Sequence, residues 1–468
     1  MSVIRNGSLI MPVVIVLLLE MTGMRAYSNA ESPEGPPKLS EDGARPLDYQ
    51  ALSLEDCLAL ARKHNPVLTG AREKIQELLA DYRTAKSRYF PRLVLASYYE
   101  RANPDRLSPA GALTTPLLFR EAAWLGVSGK QVLYDGRRTH YSALAAKTGA
   151  ESQRQEVLRT ADEIAFAVTE AFYGLVEAKE NLTVALEALR ERQDFAAIAE
   201  AFFRAGKVTR LDSFRAKSQV SEAEQAKTEA ENAARLASEI LARSMGLREE
   251  AALDIAGGLP SELTPPSDFG SLWREALKTN PEIKKLDLEI AQSKNQVKAA
   301  RGAYLPEISL QGGVGVRHYD MAGTKGEWLG GVFVEFPFFE GGLTRAQVAK
   351  ATSQLLQLVE RKRDRVDSIK SDLTAAWLDQ GNAYQGVMTA RQTMLTNEEA
   401  YASAQALYRS GKAVGLDVLQ AQVDVTRSRF DSIRYAVVYQ IARARIKQIT
   451  GSGLSDSFQP ANKGRQGQ

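Results

Sequence analysis

Two carboxylates occupy the same setting twice in this chain. Asp417 lies in GKAVGLDVLQA (411–421) and Asp212 in GKVTRLDSFRA (206–216), with Gly, Lys, Leu, Asp and Ala at matching offsets. A carboxylate just after a glycine turn, where apolar periodicity resumes, is favoured by the dipole of the starting helix by about 0.3–1 kcal/mol. It is also a fixed negative charge able to attract cations. Other chemistry is sparse. Cys57 is the only cysteine, so an internal disulfide is impossible, and His64, His140 and His318 stand far apart without metal-ligand spacing. GGVGVR (312–317) leads into a loop instead of a helix start, which excludes a phosphate cradle. No nucleophile motif or catalytic carboxylate constellation is present, so the chain is read as a non-enzyme without a cofactor.

The elements that position those turns follow from the rest of the sequence. With 468 residues, 44% hydrophobic and 25% charged, the chain can bury ample core. Its 60 basic and 57 acidic residues leave a formal charge of +3, which excludes nucleic acid as the main partner. Arg5 precedes the apolar run LIMPVVIVLLL (9–19), with small Ser28 and Ala30 beyond it, so residues 1–30 read as a secretory signal and the Pro-rich 31–50 as a flexible leader. That run is about half the ~20 residues of a membrane-spanning helix, and no other long apolar run follows. Any insertion into a membrane is therefore expected as β-strands.

The chain is written twice. Sliding it by about 215 residues sets ALARKHNPVL on REALKTNPEI and SRYFP on GAYLP. At an offset of about 205, YDGRRT meets FEGGLT and the two GK turns coincide. The units are 51–260 and 261–453, followed by a flexible tail, 454–468. In each, Asn-Pro reads as N-cap and first helical residue, and Tyr-x-Pro ends that helix. Period-two alternation follows, with Ile308, Leu310, Val314 and Val316 against Glu307, Ser309, Gln311 and Arg317. The expected strands are about 92–101, 124–134, 307–318 and 328–338, long enough for tilted membrane strands, with Trp124, Trp328, Tyr98 and Tyr99 as interfacial aromatics.

Beyond the strands, proline is absent from 117–259 and from 338–459, and apolar residues recur every seven positions: Ile164, Ala171, Ala185 and Ala199 in one unit, Ile369, Ala376, Ala383 and Ala390 in the other. A helix over about 138–205 is roughly 100 Å long. Gly206 and Gly411 stand where such helices end, as left-handed C′ residues, so 206–212 and 411–417 are tips of helical hairpins. Four strands cannot close a barrel, and open edges cannot sit in lipid, so several chains must share one.

On the duplicated N-P…Y-x-P segments, the LYDG and FFEGG strand exits and the YRSGKAVGLDVLQAQ tip, the mature chain resembles the TolC-like outer-membrane efflux proteins. The resemblance implies a mainly α fold with a membrane β-barrel. Duplicated coiled-coil-like helical hairpins and two β-hairpins trimerise into a 12-stranded barrel continuous with a periplasmic α-helical barrel. Short helices near Ser53 and Ser267 contribute to an equatorial layer. The implied function is an exit duct of a tripartite pump or type I secretion system, partnered by a periplasmic adaptor and an RND, ABC or MFS inner-membrane transporter. The adaptor-docking tips correspond to Val414, Gly415 and Leu416, and to Thr209, Arg210 and Leu211. Asp417 falls on the aspartate-lined constriction, where Gln420 replaces a second acid. Tyr408 and Asp212 fall on positions resembling the tie of the closed tip, whose arginine is Ala413 here. A periplasmic adaptor or a non-porous coiled-coil scaffold is the alternative.

Overall fold

The computed structural model describes residues 52–101, 121–247, 253–260, 263–319 and 323–451. The expected signal, leader and C-terminal tail lie outside them.

Each repeat contributes helices of identical lengths. The first comprises α1 Leu54–His64 (11 residues), α2 Pro66–Ser87 (22), α3 Arg138–Arg204 (67) and α4 Arg210–Met245 (36). The second comprises α5 Phe269–Thr279 (11), α6 Pro281–Gly302 (22), α7 Leu343–Arg409 (67) and α8 Gly415–Thr450 (36). Strands β1 Arg92–Arg101 and β2 Glu121–Tyr134 lie between α2 and α3, and β3 Glu307–Tyr319 and β4 Gly323–Glu335 between α6 and α7. The two short helices begin near Ser53 and Ser267 as expected: Ser53 caps α1, and Asp268 caps α5, its carboxylate accepting from Ser271 N at 2.9 Å.

Two half-length helices flank each long one. Near the strands α3 packs on α2 and α6, and towards the tips on α4 and α8; α7 packs on α6 and α8. The Asn-Pro motifs join the upper and lower tiers. Asn65 caps α2 by accepting from Val67 N (3.0 Å) and Leu68 N (3.4 Å), while its Nδ2 donates to Ser244 O of the last turn of α4 at 3.0 Å. One carboxamide thus satisfies the orphan donors of one helix and an orphan acceptor of another, so α4 and α2 abut end to end. Gly246 makes the approach feasible: it is left-handed (φ 81°), and a Cβ there would lie 2.7 Å from His64 O.

The cores repeat as well. Cys57, Leu58, Ala61, Leu68, Ile164, Val168, Leu175, Leu241 and Met245 form one cluster; Ala276, Ile283, Ile369, Leu373, Ala376, Ile446 and Ile449 form the other. Cys57 is fully buried, and burial pushes its thiol up to about 11, with the charge of Asp56 adding to the shift, so it behaves as a small apolar residue. The seven-residue seam holds along α7 at Ile369, Leu373, Ala376, Ala383, Val387, Ala390 and Tyr408. In both long helices the expected seam loosens in places, because a straight helix of period 3.6 moves off a strict heptad: Leu182 and Leu189 of α3 and Met394, Tyr401 and Ala404 of α7 are half-buried, and Phe203 is exposed.

Among the described residues, four strands form a single antiparallel sheet in the order β1-β2-β3-β4, both hairpins being joined through β2 and β3. Two strands differ from expectation in their bounds. β2 begins at Glu121, earlier than 124, and β4 is Gly323–Glu335 instead of 328–338. Pairing of Gly323 with Tyr319 carries the ladder up to the hairpin, and Pro337, lacking an N–H, cannot extend it below Glu335.

Directly paired residues share a face, so the register sorts the side chains. Leu95, Val127, Val314 and Trp328 form one row, and Leu93, Leu310, Val316, Val332 and Val334 lie on that same apolar face, 47–82% exposed apart from Val127 at 40%. The opposite face carries Arg92, Ser128, Lys130, Glu307, Ser309, Gln311, Arg317 and Glu327. A concavity of about 610 Å³ is lined in part by Arg92, Ser128, Lys130, Gln311, Arg317 and Glu327 of the polar face, and a sheet that exposes its apolar face is the reverse of a soluble hairpin and suits contact with lipid. Trp328 and Tyr99 lie on the apolar face. Trp124 and Tyr98, expected as interfacial aromatics, share the polar face, stacked with centroids 6.0 Å apart. The indole fits because Gly126 and Gly315 are paired under it; a Cβ at either would come within 3 Å of the Trp124 ring.

Candidate functional site

The two tips form one small core. Phe195 and Ala199 of α3, Ala216 of α4, Tyr408 of α7 and Val418 of α8 are buried together, with Val208 and Ala413 of the turns against them. Gly206 (φ 73°) and Gly411 (φ 75°) are left-handed as the sequence demands. Lys207 N bonds Phe202 O at 2.9 Å and Lys412 N bonds Leu407 O at 2.9 Å, closing the same two-bond helix end in both repeats.

Both aspartates stand in the first turn of a returning helix. The Asp212 carboxylate accepts from Thr209 N (3.0 Å) and Thr209 Oγ1 (2.7 Å), and Asp212 N donates back to that hydroxyl at 3.3 Å, a complete reciprocal cap. Asp417 accepts from Val414 N at 3.4 Å, and valine has no acceptor to return. Asp417 is exposed and less committed to its cap. Tyr408 is buried at 3% exposure, with its ring 5.2 Å from Phe195 and 5.5 Å from Phe202. Burial, and then the charge of Asp212, push its phenol up, yet its hydroxyl makes no hydrogen bond among the described residues. The structure therefore brings Tyr408 and Asp212 close enough to interact electrically without bonding them.

The turn residues divide by exposure. Val414 (63%), Leu416 (57%) and Leu211 (55%) project into solvent, and Thr209 and Arg210 are exposed, the Arg210 guanidinium lying 5.0 Å over the Phe214 ring. Gly415 is buried: a Cβ there would lie 3.6 Å from both Phe195 and Tyr408, so a bulky residue at 415 disturbs the tip core itself.

A polar node above the tips has no counterpart in the sequence reading. Arg429 of α8 bonds Glu398 of α7 at 3.2 Å and Glu191 of α3 at 3.3 Å, with Glu187 at 3.5 Å. Gln422 Nε2 donates to Glu191 O (3.3 Å) and Tyr401 Oη (3.1 Å). The node ties the first hairpin to the second. Its partners lie 31 and 238 residues from Arg429, so no local spacing announces it.

The outer membrane efflux protein family model matches residues 57–247 and 272–452, two segments that start 215 residues apart and end 205 apart. The chain is 23% identical over 424 residues to the outer membrane efflux protein BepC of Brucella suis, covering 87% of each. It is 22% identical to the toluene efflux pump outer membrane protein TtgC of Pseudomonas putida, over 94% of this chain and 90% of that one. Among solved structures, a membrane protein from Pseudomonas aeruginosa superposes with a TM-score of 0.76 at 21% identity, covering 86% of this chain and 91% of that chain. The outer membrane protein VceC from Vibrio cholerae superposes with a TM-score of 0.73 at 17% identity, covering 86% and 96%. Doubled helical hairpins, a sheet with an apolar outer face and a family model matched once in each repeat lead to one conclusion: this chain belongs to the outer membrane efflux protein family.

Proposed function

We propose that three copies of this chain close one 12-stranded barrel in the outer membrane and one helical duct below it, through which cargo leaves the cell. The observation that carries this is the sheet: four strands with an apolar outer face and two open edges, β1 and β4. Open edges in hydrocarbon cost several kcal/mol per orphaned polar group, and four strands cannot curl onto themselves, so copies must supply each other's edges. The helices support the same closure. Between Leu343 and Ser368 the only buried residue of α7 is Thr344, and Leu343, Leu356 and Val359 are left for a neighbour.

The exposed tip residues Val414, Leu416, Leu211, Thr209 and Arg210 form the surface for a periplasmic adaptor, which couples the duct to an RND, ABC or MFS transporter in the inner membrane. Asp417 of each copy faces a shared constriction and favours cations, with Asp212 and Tyr408 behind it. Mass measurement in mild detergent combined with planar-bilayer recording tests the reading. A trimer that conducts is expected; a stable monomer retaining its full strand content would sink it.

A further inference from the structure

We infer that Arg92 and Glu335 form an ion pair between neighbouring copies that sets the register in which the barrel closes. The inference rests on the trimeric reading above and adds the pairing.

Each edge of the sheet carries an unresolved like-charge pair of opposite sign. On the β1 edge, Arg92 is directly opposite Lys130. On the β4 edge, Glu335 is directly opposite Glu307. All four side chains lie on the polar face, and like charges directly opposed on one face of a sheet destabilise it. The two inner members already have partners: Lys130 bonds Glu307 at 3.0 Å, and Arg138 bonds Glu307 at 2.6 Å. The edge members do not. Arg92 and Glu335 are exposed and neither makes an ion pair among the described residues. One edge therefore presents an uncompensated cation and the other an uncompensated anion, both at the helix-proximal end of the sheet.

The stagger of the strands brings them together. Within one copy Arg92 is paired with Lys130, Lys130 with Gln311, and Gln311 with Gly331, four positions before Glu335 at the lower end of β4. The lower margin of the sheet thus steps down from β1 to β4. If the next copy docks with strand ends flush, its Arg92 faces Glu335 of the first. A stagger of about four residues per copy gives a shear of about 12 for twelve strands; equal strand and shear numbers correspond to a tilt of about 36°.

The same register is coherent along the seam. It pairs Leu93 with Val334, Leu95 with Val332 and Tyr99 with Trp328 on the lipid face. Val94 meets Phe333 on the inner face, and small residues meet at Ala96 with Gly331 and Ser97 with Gly330. Shifting the register by two residues puts Arg92 on Phe333 or Pro337, leaving the opposite charges only diagonal neighbours.

The test is a charge swap in the full-length protein, scored as trimer yield after extraction in mild detergent. Arg92→Glu and Glu335→Arg should each lower the yield by about threefold or more, and the double swap should restore it. Folding losses are separated by a second arm: Arg92→Cys with Glu335→Cys in a Cys57→Ala background, oxidised in the membrane, should give interchain disulfides up to a covalent trimer. A trimeric parent whose swap shows no rescue and whose cysteines never link chains overturns the pairing. A monomeric parent overturns the trimeric reading itself, and the pairing with it.

Discussion

The carboxamide of Asn280 donates to the carbonyl of Ile449 at 2.8 Å, while its oxygen accepts from Glu282 N and Ile283 N at 2.9 and 3.1 Å. One side chain thereby ends α8 and begins α6, as Asn65 does between α4 and α2. Asp in place of Asn280 keeps the acceptor for α6 but removes the donor and sets a negative charge against the negative end of α8. Asn280 is buried, so Asn280→Asp should destabilise the helical body by about 2 kcal/mol, the cost of an unsatisfied buried carbonyl. The melting temperature of the helical circular-dichroism signal measures it. Unchanged melting would mean the splice carries no weight.

At the tips, a docking probe has to sit on the exposed residues. Val414→Glu should abolish export while leaving trimer yield and melting as in the parent, because Val414 is 63% exposed and outside the tip core. Gly415→Trp, pressing on Phe195 and Tyr408, should lower stability as well as export. Normal export from an assembled Val414→Glu protein would remove this turn from the adaptor surface.

Asp417→Asn separates the structural from the functional role of that carboxylate. Asn retains an acceptor for Val414 N, so stability should change by less than about 1 kcal/mol. Cation selectivity and block by multivalent cations in planar bilayers should both fall, more at low salt than at high salt, as screening requires. Parental selectivity in the Asn variant at low salt would make Asp417 a cap alone.

Acid should loosen the joint between α3 and α6. Hydrogen bonding from Arg159 holds the Glu156 carboxyl down at about 2 against the opposing effect of its burial, and Lys285 of α6 lies 3.1 Å from it. A carboxyl depressed in the folded state contributes stability that is complete above its ordinary value near 4.5 and is lost as pH falls towards 2. Glu156→Gln should therefore be less stable than the parent at pH 6, and the difference should shrink steadily below pH 4. A difference independent of pH would show that packing of the side chain matters and its charge does not.

Periodicity and punctuation determined much of this protein without any coordinates. Asn-Pro, Tyr-x-Pro and the GK turns are local signals, so the doubled helices, the left-handed Gly206 and Gly411 and the first-turn placement of Asp212 and Asp417 were all legible. The alternation of β3 likewise separated its two faces. What only the tertiary structure decided depends on contacts between distant segments. Pairing of β1 with β2 set Tyr98 beside Trp124, and pairing of β2 with β3, across about 190 residues of chain, set both on the face of Glu307, Ser309 and Gln311, a match between strands that no single strand specifies. Docking of α3 against α8 buried Gly415 under Phe195 and Tyr408, although a glycine in a turn reads as exposed. Arg429 is one arginine among many until α3, α7 and α8 set Glu187, Glu191 and Glu398 around it. Local sequence specifies elements because backbone preferences are local, whereas a charge acquires its partner only when the packed chain brings one within a few ångströms.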